Sequence, residues 1–163
     1  MRGTRMPTAL TIAGSDSGGG AGIQADLKTF TAFRVYGLSA ITGLTAQNTR
    51  GVRGVELPTT DFIAAQLRAV LEDIGVDAVK TGMLATGPII RTVAGVAREF
   101  RLTNVVVDPV MIAASGDTLM HNEAAPVMRE HLFPLATVVT PNLDEDTVLC
   151  ERKIRTIDDM KEA

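Results

Sequence analysis

The sequence is poor in aromatic residues, and it has no excess of basic ones. Its 163 residues contain no Trp, one Tyr and five Phe, so few rings are available for nucleobase stacking. Sixteen Lys and Arg stand against 19 Asp and Glu, which gives a net charge of −3 and no basic block to neutralise a phosphate backbone. We therefore do not expect nucleic acid as a partner.

Cysteine and long hydrophobic runs are equally scarce. The single cysteine, Cys150, excludes an intramolecular disulfide and a cysteine-cluster metal site, which is typical of a reducing compartment. The apolar run Ala9–Ala13 is too short for the core of a signal peptide, and no run reaches the length of a membrane span. The sequence therefore predicts a cytoplasmic protein with no membrane partner.

Strand-like and helix-like segments alternate along the chain. The predicted strands cover residues 9–13, 37–45, 52–57, 77–81, 104–107 and 136–140. Helical periodicity covers residues 23–33, 60–74 (capped by Thr60 and Asp61), 86–100 and about 118–132, with a short helix from about 143. This alternation implies a doubly wound α/β domain, with a mainly parallel sheet and helices on both faces.

The end of the chain has the pattern of an interrupted element. Thr156–Asp159 is typical of a helix start, but only residues 160–163 follow, and so short a segment does not sustain a helix. We therefore expect a fragment, with residues 1–163 forming the N-terminal portion of a single domain. An uncovered strand edge would then favour pairing with a second copy, so a homodimer is expected.

Polar residues collect just past the predicted strands. The five segments are Gly14–Asp16, Gln47–Thr49, Lys80–Gly82, Asp108–Pro109 and Thr140–Asn142. Because the carboxyl ends of parallel strands meet at one edge, these segments predict a polar small-molecule site there. The alternative is that they are ordinary solvated loops.

The glycine-rich loop from Gly14 to Gly20 has three interpretations. Its backbone N–H groups could approach an anion at the start of the next helix. Gly20–Ala25 also matches the weak dinucleotide pattern G-x-G-x-x-A, but Thr45 and Gln47 stand where an acidic residue is needed, so a dehydrogenase is disfavoured. The third interpretation is a tight turn that binds no ligand.

Five stretches together resemble the hydroxymethylpyrimidine/phosphomethylpyrimidine kinase family of thiamine biosynthesis, within the ribokinase-like superfamily. They are Thr11–Thr29, Leu44–Thr49, Lys80–Leu84, Val107–Met111 and Thr140–Glu145. The resemblance implies a ribokinase-like fold whose C-terminal part is missing, and ATP- and Mg²⁺-dependent phosphorylation of 4-amino-5-hydroxymethyl-2-methylpyrimidine and of its monophosphate. The partners implied are the pyrimidine and ATP.

The resemblance also assigns roles to residues. Asp26, Gln47 and Met83 would face the pyrimidine, with Thr45 and Val110 as walls. Asp108, Asn142 and Glu145 would form the phosphate and magnesium site, with Glu145 acting on the metal through water. The family's catalytic base would lie beyond Ala163.

Two alternatives stay open beside this kinase interpretation. One is a non-catalytic remnant that only binds a pyrimidine. The other is a pyridoxal-type vitamin kinase of the same superfamily, because a substituted pyridine is close in shape to the pyrimidine.

Overall fold

A computed structural model describes residues 5–111 and 124–161 of the chain. Within these ranges the strands are β1 (Thr8–Asp16), β2 (Tyr36–Asn48), β3 (Gly51–Glu56), β4 (Ala78–Thr81), β5 (Val105–Val107) and β6 (Val138–Val139). The helices are α1 (Gly22–Ala32), α2 (Thr60–Asp73), α3 (Gly87–Glu99), α4 (Ala124–His131), α5 (Leu143–Leu149) and α6 (Ile157–Lys161), and a 3₁₀ turn spans Phe133–Leu135.

The six described strands form one sheet in the order β3-β2-β1-β4-β5-β6. Every neighbouring pair is parallel except β2 and β3, which form an antiparallel ribbon. The mainly parallel α/β sheet predicted from the sequence is therefore confirmed. Since five strands end at the same edge, the polar segments that follow them are brought to that edge.

Helices cover both faces of this sheet. The two faces can be followed from β1, whose alternate side chains point to opposite sides. Leu10 and Ile12 are almost fully buried in the main apolar core, together with Ile63 of α2 and Ile90 of α3. Thr11, between them, points the other way and donates a hydrogen bond to a carboxylate of α1. The core therefore lies under α2 and α3, and α1 packs on the face that carries the polar groups.

Helix boundaries agree with the sequence signals, with one correction at α2. Thr59 rather than Thr60 is the N-cap residue, because its backbone is extended and its hydroxyl accepts a hydrogen bond from the N–H of Phe62 at 3.2 Å. Gly75 follows the helix with φ of +71°, the left-handed conformation that ends a helix readily. Thr86 caps α3 and Pro88 lies in its first turn, as predicted.

The predictions for the last third of the chain need two further corrections. Residues from Ile157 do form a short helix, because the carboxylate of Asp159 accepts from the N–H groups of Arg155 and Thr156 while the Thr156 hydroxyl accepts from Asp159. The strand predicted over 136–140 covers only Val138–Val139, since the N–H of Ala136 still bonds to the carbonyl of Phe133 in the 3₁₀ turn. The start of the helix predicted from about 118 lies outside the described residues.

No helix in the described ranges has the length and apolar character needed to cross a membrane.

Candidate ligand-binding site

The glycine-rich loop after β1 is closed by the chain's own carboxylate. Asp16 is buried, and its side chain accepts hydrogen bonds from the N–H groups of Gly18 at 2.7 Å, Gly20 at 2.9 Å and Ala21 at 2.9 Å. Burial alone would raise the pKa of Asp16, but the hydrogen bonds from Gly18, Ala21, Gly20 and Gly19 outweigh it and hold that pKa below its usual value of 3.8. The N–H groups of this loop are therefore taken up by the chain's own Asp16 carboxylate, which closes the loop into a tight turn.

The start of α1 is tied to the end of β1 by a second set of contacts. Gln24 accepts a hydrogen bond from the Asp16 N–H at 2.8 Å and donates one to the Ser15 hydroxyl at 2.7 Å. Gly22 has φ of +56°, and a Cβ there would lie 2.3 Å from the carbonyl oxygen of Gly14. Only glycine permits this close approach, so the helix starts directly against the strand end.

A cavity of about 300 Å³ opens at the carboxyl edge of the sheet beside this loop. Of the eight residues to which the family resemblance assigned roles, six line it: Asp26, Thr45, Gln47, Met83, Asp108 and Val110. Asn142 and Glu145 are not among its lining residues. The cavity is the size of the smaller ligand sites found in proteins. The structure therefore brings together all the residues expected around the ring, and their roles remain predictions.

Met83 forms an apolar wall of the cavity that depends on two glycines. Gly14 of β1 and Gly43 of β2 are paired across the parallel ladder, just after an irregularity in its register. A Cβ on either glycine would lie 2.7 Å from the terminal methyl of Met83. The absence of side chains at this pair therefore makes the room in which the thioether packs.

The opposite wall comes from the end of β2. Thr45 lies within hydrogen-bond distance of the Ser15 carbonyl at 3.0 Å and of Gln47 Oε1 at 3.1 Å. The Ser17 hydroxyl donates to the Gln47 carbonyl at 2.7 Å and accepts from the Gln47 N–H at 2.8 Å. These bonds fix the backbone of Gln47 against the glycine-rich loop. Its side-chain NH₂ has no partner among the described residues and can donate to a ligand.

An ion cluster occupies the side of the cavity below α1. Lys80 Nζ lies 3.1 Å from Asp26 Oδ1 and 3.4 Å from Asp108 Oδ2. The Thr11 hydroxyl donates to Asp26 Oδ2 at 2.6 Å. The sequence placed Lys80 among the strand ends without assigning it a role. The feature that could have identified Lys80 is that it is the one lysine in the five polar segments that follow the predicted strands.

Asn142 and Glu145 form a capping box at the start of α5. Asn142 Oδ1 accepts from the N–H groups of Asp144 and Glu145, both at 3.0 Å, while Glu145 Oε2 accepts from the N–H of Asn142 at 2.9 Å. Glu145 is buried, and its other oxygen accepts from the N–H of Met111 at 3.3 Å. Because Met111 closely follows Asp108, a short segment connects this box to the cavity.

The remaining acidic, histidine and cysteine side chains were compared with the needs of a metal ion and of a nucleophile. In the described part of the chain, no three His, Cys, Asp or Glu residues are grouped so that they could hold a metal ion. Burial and the adjacent Asp146 carboxylate raise the pKa of the Cys150 thiol, which disfavours the thiolate that a nucleophile needs.

These features define a class of protein. A mainly parallel α/β sheet with a polar cavity at its carboxyl edge is typical of enzymes that bind small molecules. The cavity combines amide and carboxylate groups with a thioether wall, so it offers a ligand both hydrogen-bond partners and an apolar surface.

Comparison with known proteins gives the family. The model of the phosphomethylpyrimidine kinase family matches residues 16–163, and the chain belongs to that family. The predicted ribokinase-like fold is also confirmed, because solved vitamin kinases of this kind superpose on nearly the whole chain.

Three similar proteins illustrate the match. The hydroxymethylpyrimidine/phosphomethylpyrimidine kinase of Rhizobium meliloti is 54% identical over 146 residues, which cover 90% of this chain and 54% of that protein. The crystal structure of phosphomethylpyrimidine kinase from Clostridium difficile has a TM-score of 0.89 and 48% identity, covering 96% of this chain and 68% of the other. A Bacillus subtilis pyridoxal kinase, solved as an ADP complex, has a TM-score of 0.85 and 49% identity, covering 96% and 58%.

The chain spans about a third to just over half of the length of the curated relatives that it matches.

Proposed function

We propose that this chain provides the substrate pocket of a kinase that transfers phosphate from ATP to 4-amino-5-hydroxymethyl-2-methylpyrimidine and to its monophosphate. The observation that carries the proposal is that Asp26, Gln47 and Met83 line one ring-sized cavity. The three residues come from α1, β2 and the loop after β4, so their meeting is a property of the fold rather than of sequence proximity. Family membership supports the same reaction.

The groups around the cavity complement an aminopyrimidine. The free NH₂ of Gln47 offers a donor to a ring nitrogen, and the Asp26 carboxylate offers acceptors to an exocyclic amino group. The thioether of Met83 is polarizable and suits contact with an aromatic ring. Val110 adds a further apolar contact on the cavity wall. In this assignment, polar groups read the edge of the ring while apolar side chains cover its face.

Asp108 and Glu145 differ in how well they fit a magnesium ion. Asp108 lines the cavity, and its Oδ1 has no partner in the described part of the chain, so it can accept from a water of hydrated Mg²⁺. Glu145 is buried with both oxygens bonded to backbone N–H groups, which suits an indirect role better than direct coordination. Bound Mg²⁺ would neutralise charge on the transferred phosphoryl group. Asn142 would hold Glu145 in place through the capping box.

Phosphorylation of pyridoxal is the second candidate function. It is favoured by the similarity to the pyridoxal kinase of Bacillus subtilis, which at 49% identity is as similar as the phosphomethylpyrimidine kinase structure at 48%. A substituted pyridine also has an aromatic face for Met83 and polar substituents for Gln47. Pyridoxal lacks the amino group that Asp26 would accept from, so the pyrimidine is the better match.

The test is a paired binding and turnover experiment. Calorimetry measures the affinity of the protein for the aminopyrimidine and for pyridoxal, and mass spectrometry detects the phosphorylated product of each after addition of ATP and Mg²⁺. Preference for the pyrimidine with formation of its phosphate supports the proposal. Pyridoxal preference supports the second candidate, and pyrimidine binding with no phosphorylation supports a binding remnant. Binding of neither ring contradicts all three.

A further inference from the structure

Lys80 holds together two carboxylates that come from different parts of the fold. Its ammonium group contacts Asp26, on α1, at 3.1 and 3.3 Å, and Asp108, just after β5, at 3.4 Å. Because both carboxylates contact one nitrogen, their nearest oxygens cannot be farther apart than about twice that distance. Two negative charges this close repel each other unless a cation lies between them.

Lys80 is the only basic residue that lines the cavity within the described chain, whereas three carboxylates line it. The negative charge of Asp16 is stabilised by the N–H groups of the glycine-rich loop, so Lys80 is left to balance Asp26 and Asp108. The Lys80 side chain is 27% exposed and that of Asp26 only 13%, so solvent screens this contact weakly.

Gly82 leaves room beside the ammonium group. A Cβ there would lie 3.5 Å from Lys80 Nζ and 3.0 Å from the Cβ of Ala13. On the other side, the Thr11 hydroxyl bonds to Asp26 Oδ2, while Lys80 makes its shortest contact with Oδ1. Both oxygens of Asp26 are therefore held, so the carboxylate has one preferred orientation toward the cavity.

We propose that Lys80 is a positioning residue for ring recognition: it orients the Asp26 carboxylate and keeps it beside Asp108 in an otherwise repulsive arrangement. This inference rests on the proposed function and adds a residue to it. Lys80 acts through Asp26, so its contribution is greatest for a ring whose amino group Asp26 accepts from. An ion pair that only stabilised the fold would change the affinity for all ligands alike.

The experiment compares Lys80→Met, which keeps most of the length of the side chain without its charge, with Lys153→Met on the exposed surface. Calorimetry measures binding of the aminopyrimidine and of an analogue lacking the 4-amino group. We expect Lys80→Met to weaken aminopyrimidine binding by about 10- to 100-fold, since a partly buried charged partner of Asp26 is lost, and to weaken analogue binding much less. Lys153→Met is expected to change neither affinity.

A double-mutant cycle with Asp26→Asn separates positioning from general destabilisation. If Lys80 acts through Asp26, the effect of Lys80→Met on affinity shrinks to about twofold or less once Asp26 is replaced. Additive effects, an unchanged affinity, or equal losses for the two ligands would overturn the inference.

Thermal unfolding of the same four proteins without ligand keeps this test independent of the proposed function. In one outcome the unsubstituted protein binds neither ring, while the two substitutions are coupled in their effect on unfolding. That result would refute the proposed function while leaving the ion pair in place. Absence of coupling in both measurements would refute the positioning role itself. Equal unfolding temperatures of Lys80→Met and the unsubstituted protein, with the affinity loss present, would support it most directly.

Discussion

Replacing Asp16 by Asn tests whether the glycine-rich loop is held by an internal carboxylate. The substitution keeps the shape of the side chain but removes its charge, and one carboxylate oxygen becomes an NH₂ group. Gly18 donates to Oδ1, whereas Gly20 and Ala21 both donate to Oδ2. Whichever way the amide is turned, at least one backbone N–H then faces another donor.

The expected loss follows from these contacts. Hydrogen bonds to a charged acceptor contribute about 1.5–3 kcal/mol each when they are buried. Here the N–H donors belong to exposed loop residues, and water can reach them after the substitution. The total loss of unfolding free energy therefore stays near the cost of losing one helix cap and one further hydrogen bond. We expect the free energy of unfolding to fall by about 1–3 kcal/mol, which for a chain of this size is about 2–12 °C in Tm.

The pH dependence gives a second readout with a definite sign. The folded-state pKa of Asp16 is lowered, so its stabilising contribution is fully present above the unfolded-state pKa and is lost as the pH falls through the folded-state pKa. Urea unfolding followed by circular dichroism at pH 7 and at about pH 3 measures this. The difference in stability between the unsubstituted protein and Asp16→Asn should be largest at pH 7 and smaller in acid.

Asp73→Asn, on the exposed end of α2, is the matched control and should change stability little at either pH. Equal stability of Asp16→Asn and the unsubstituted protein at pH 7 would refute the reasoning. So would a difference that grows in acid, because the carboxylate would then not be the group that holds the loop.

Three further predictions concern the cavity and one helix. Gly14→Ala should displace the Met83 methyl, which lies 2.7 Å from the new Cβ, and calorimetry should show weaker ring binding with little change in Tm, because a flexible side-chain end can move. Gln47→Ala should weaken aminopyrimidine binding by about 1–3 kcal/mol, and an unchanged calorimetric affinity would exclude Gln47 from recognition. Thr59→Ala removes the cap of α2 and should lower the urea-unfolding free energy by about 1 kcal/mol; no loss would mean that water replaces the hydroxyl.

The sheet and its polar edge could be predicted from the sequence because they depend on patterns that are local. Apolar runs such as Val105–Val107 define buried strands, and parallel strands end at one edge, so the strand pattern alone was enough to place Asp108 and Gln47 at the same edge. Caps are local as well, and a one-residue error at Thr59 reflects two adjacent threonines of equal capping chemistry.

Contacts between separate elements could not be predicted in this way. The role of Asp16 depends on three N–H groups converging on one side chain, which requires the path of the loop. The pairing of Lys80 with Asp26 requires knowing that α1 packs over β1, the strand that lies next to β4 in the sheet. The helix at Ile157 forms because the Asp159 carboxylate accepts from the N–H of Thr156, and the Thr156 hydroxyl accepts from the N–H of Asp159. These bonds stabilise the start of a helix that was predicted from the sequence to be too short to form.

The closed loop after β1 has a consequence for how the protein meets inorganic ions. Loops rich in glycine at the start of a helix commonly collect sulfate or phosphate from buffers, because their N–H groups are open. Here the acceptor is tethered two residues before the first of those N–H groups, so its local concentration exceeds that of any dissolved anion. Millimolar phosphate or sulfate would therefore have to displace the Asp16 carboxylate from these N–H groups, so we expect neither ion to collect at this loop.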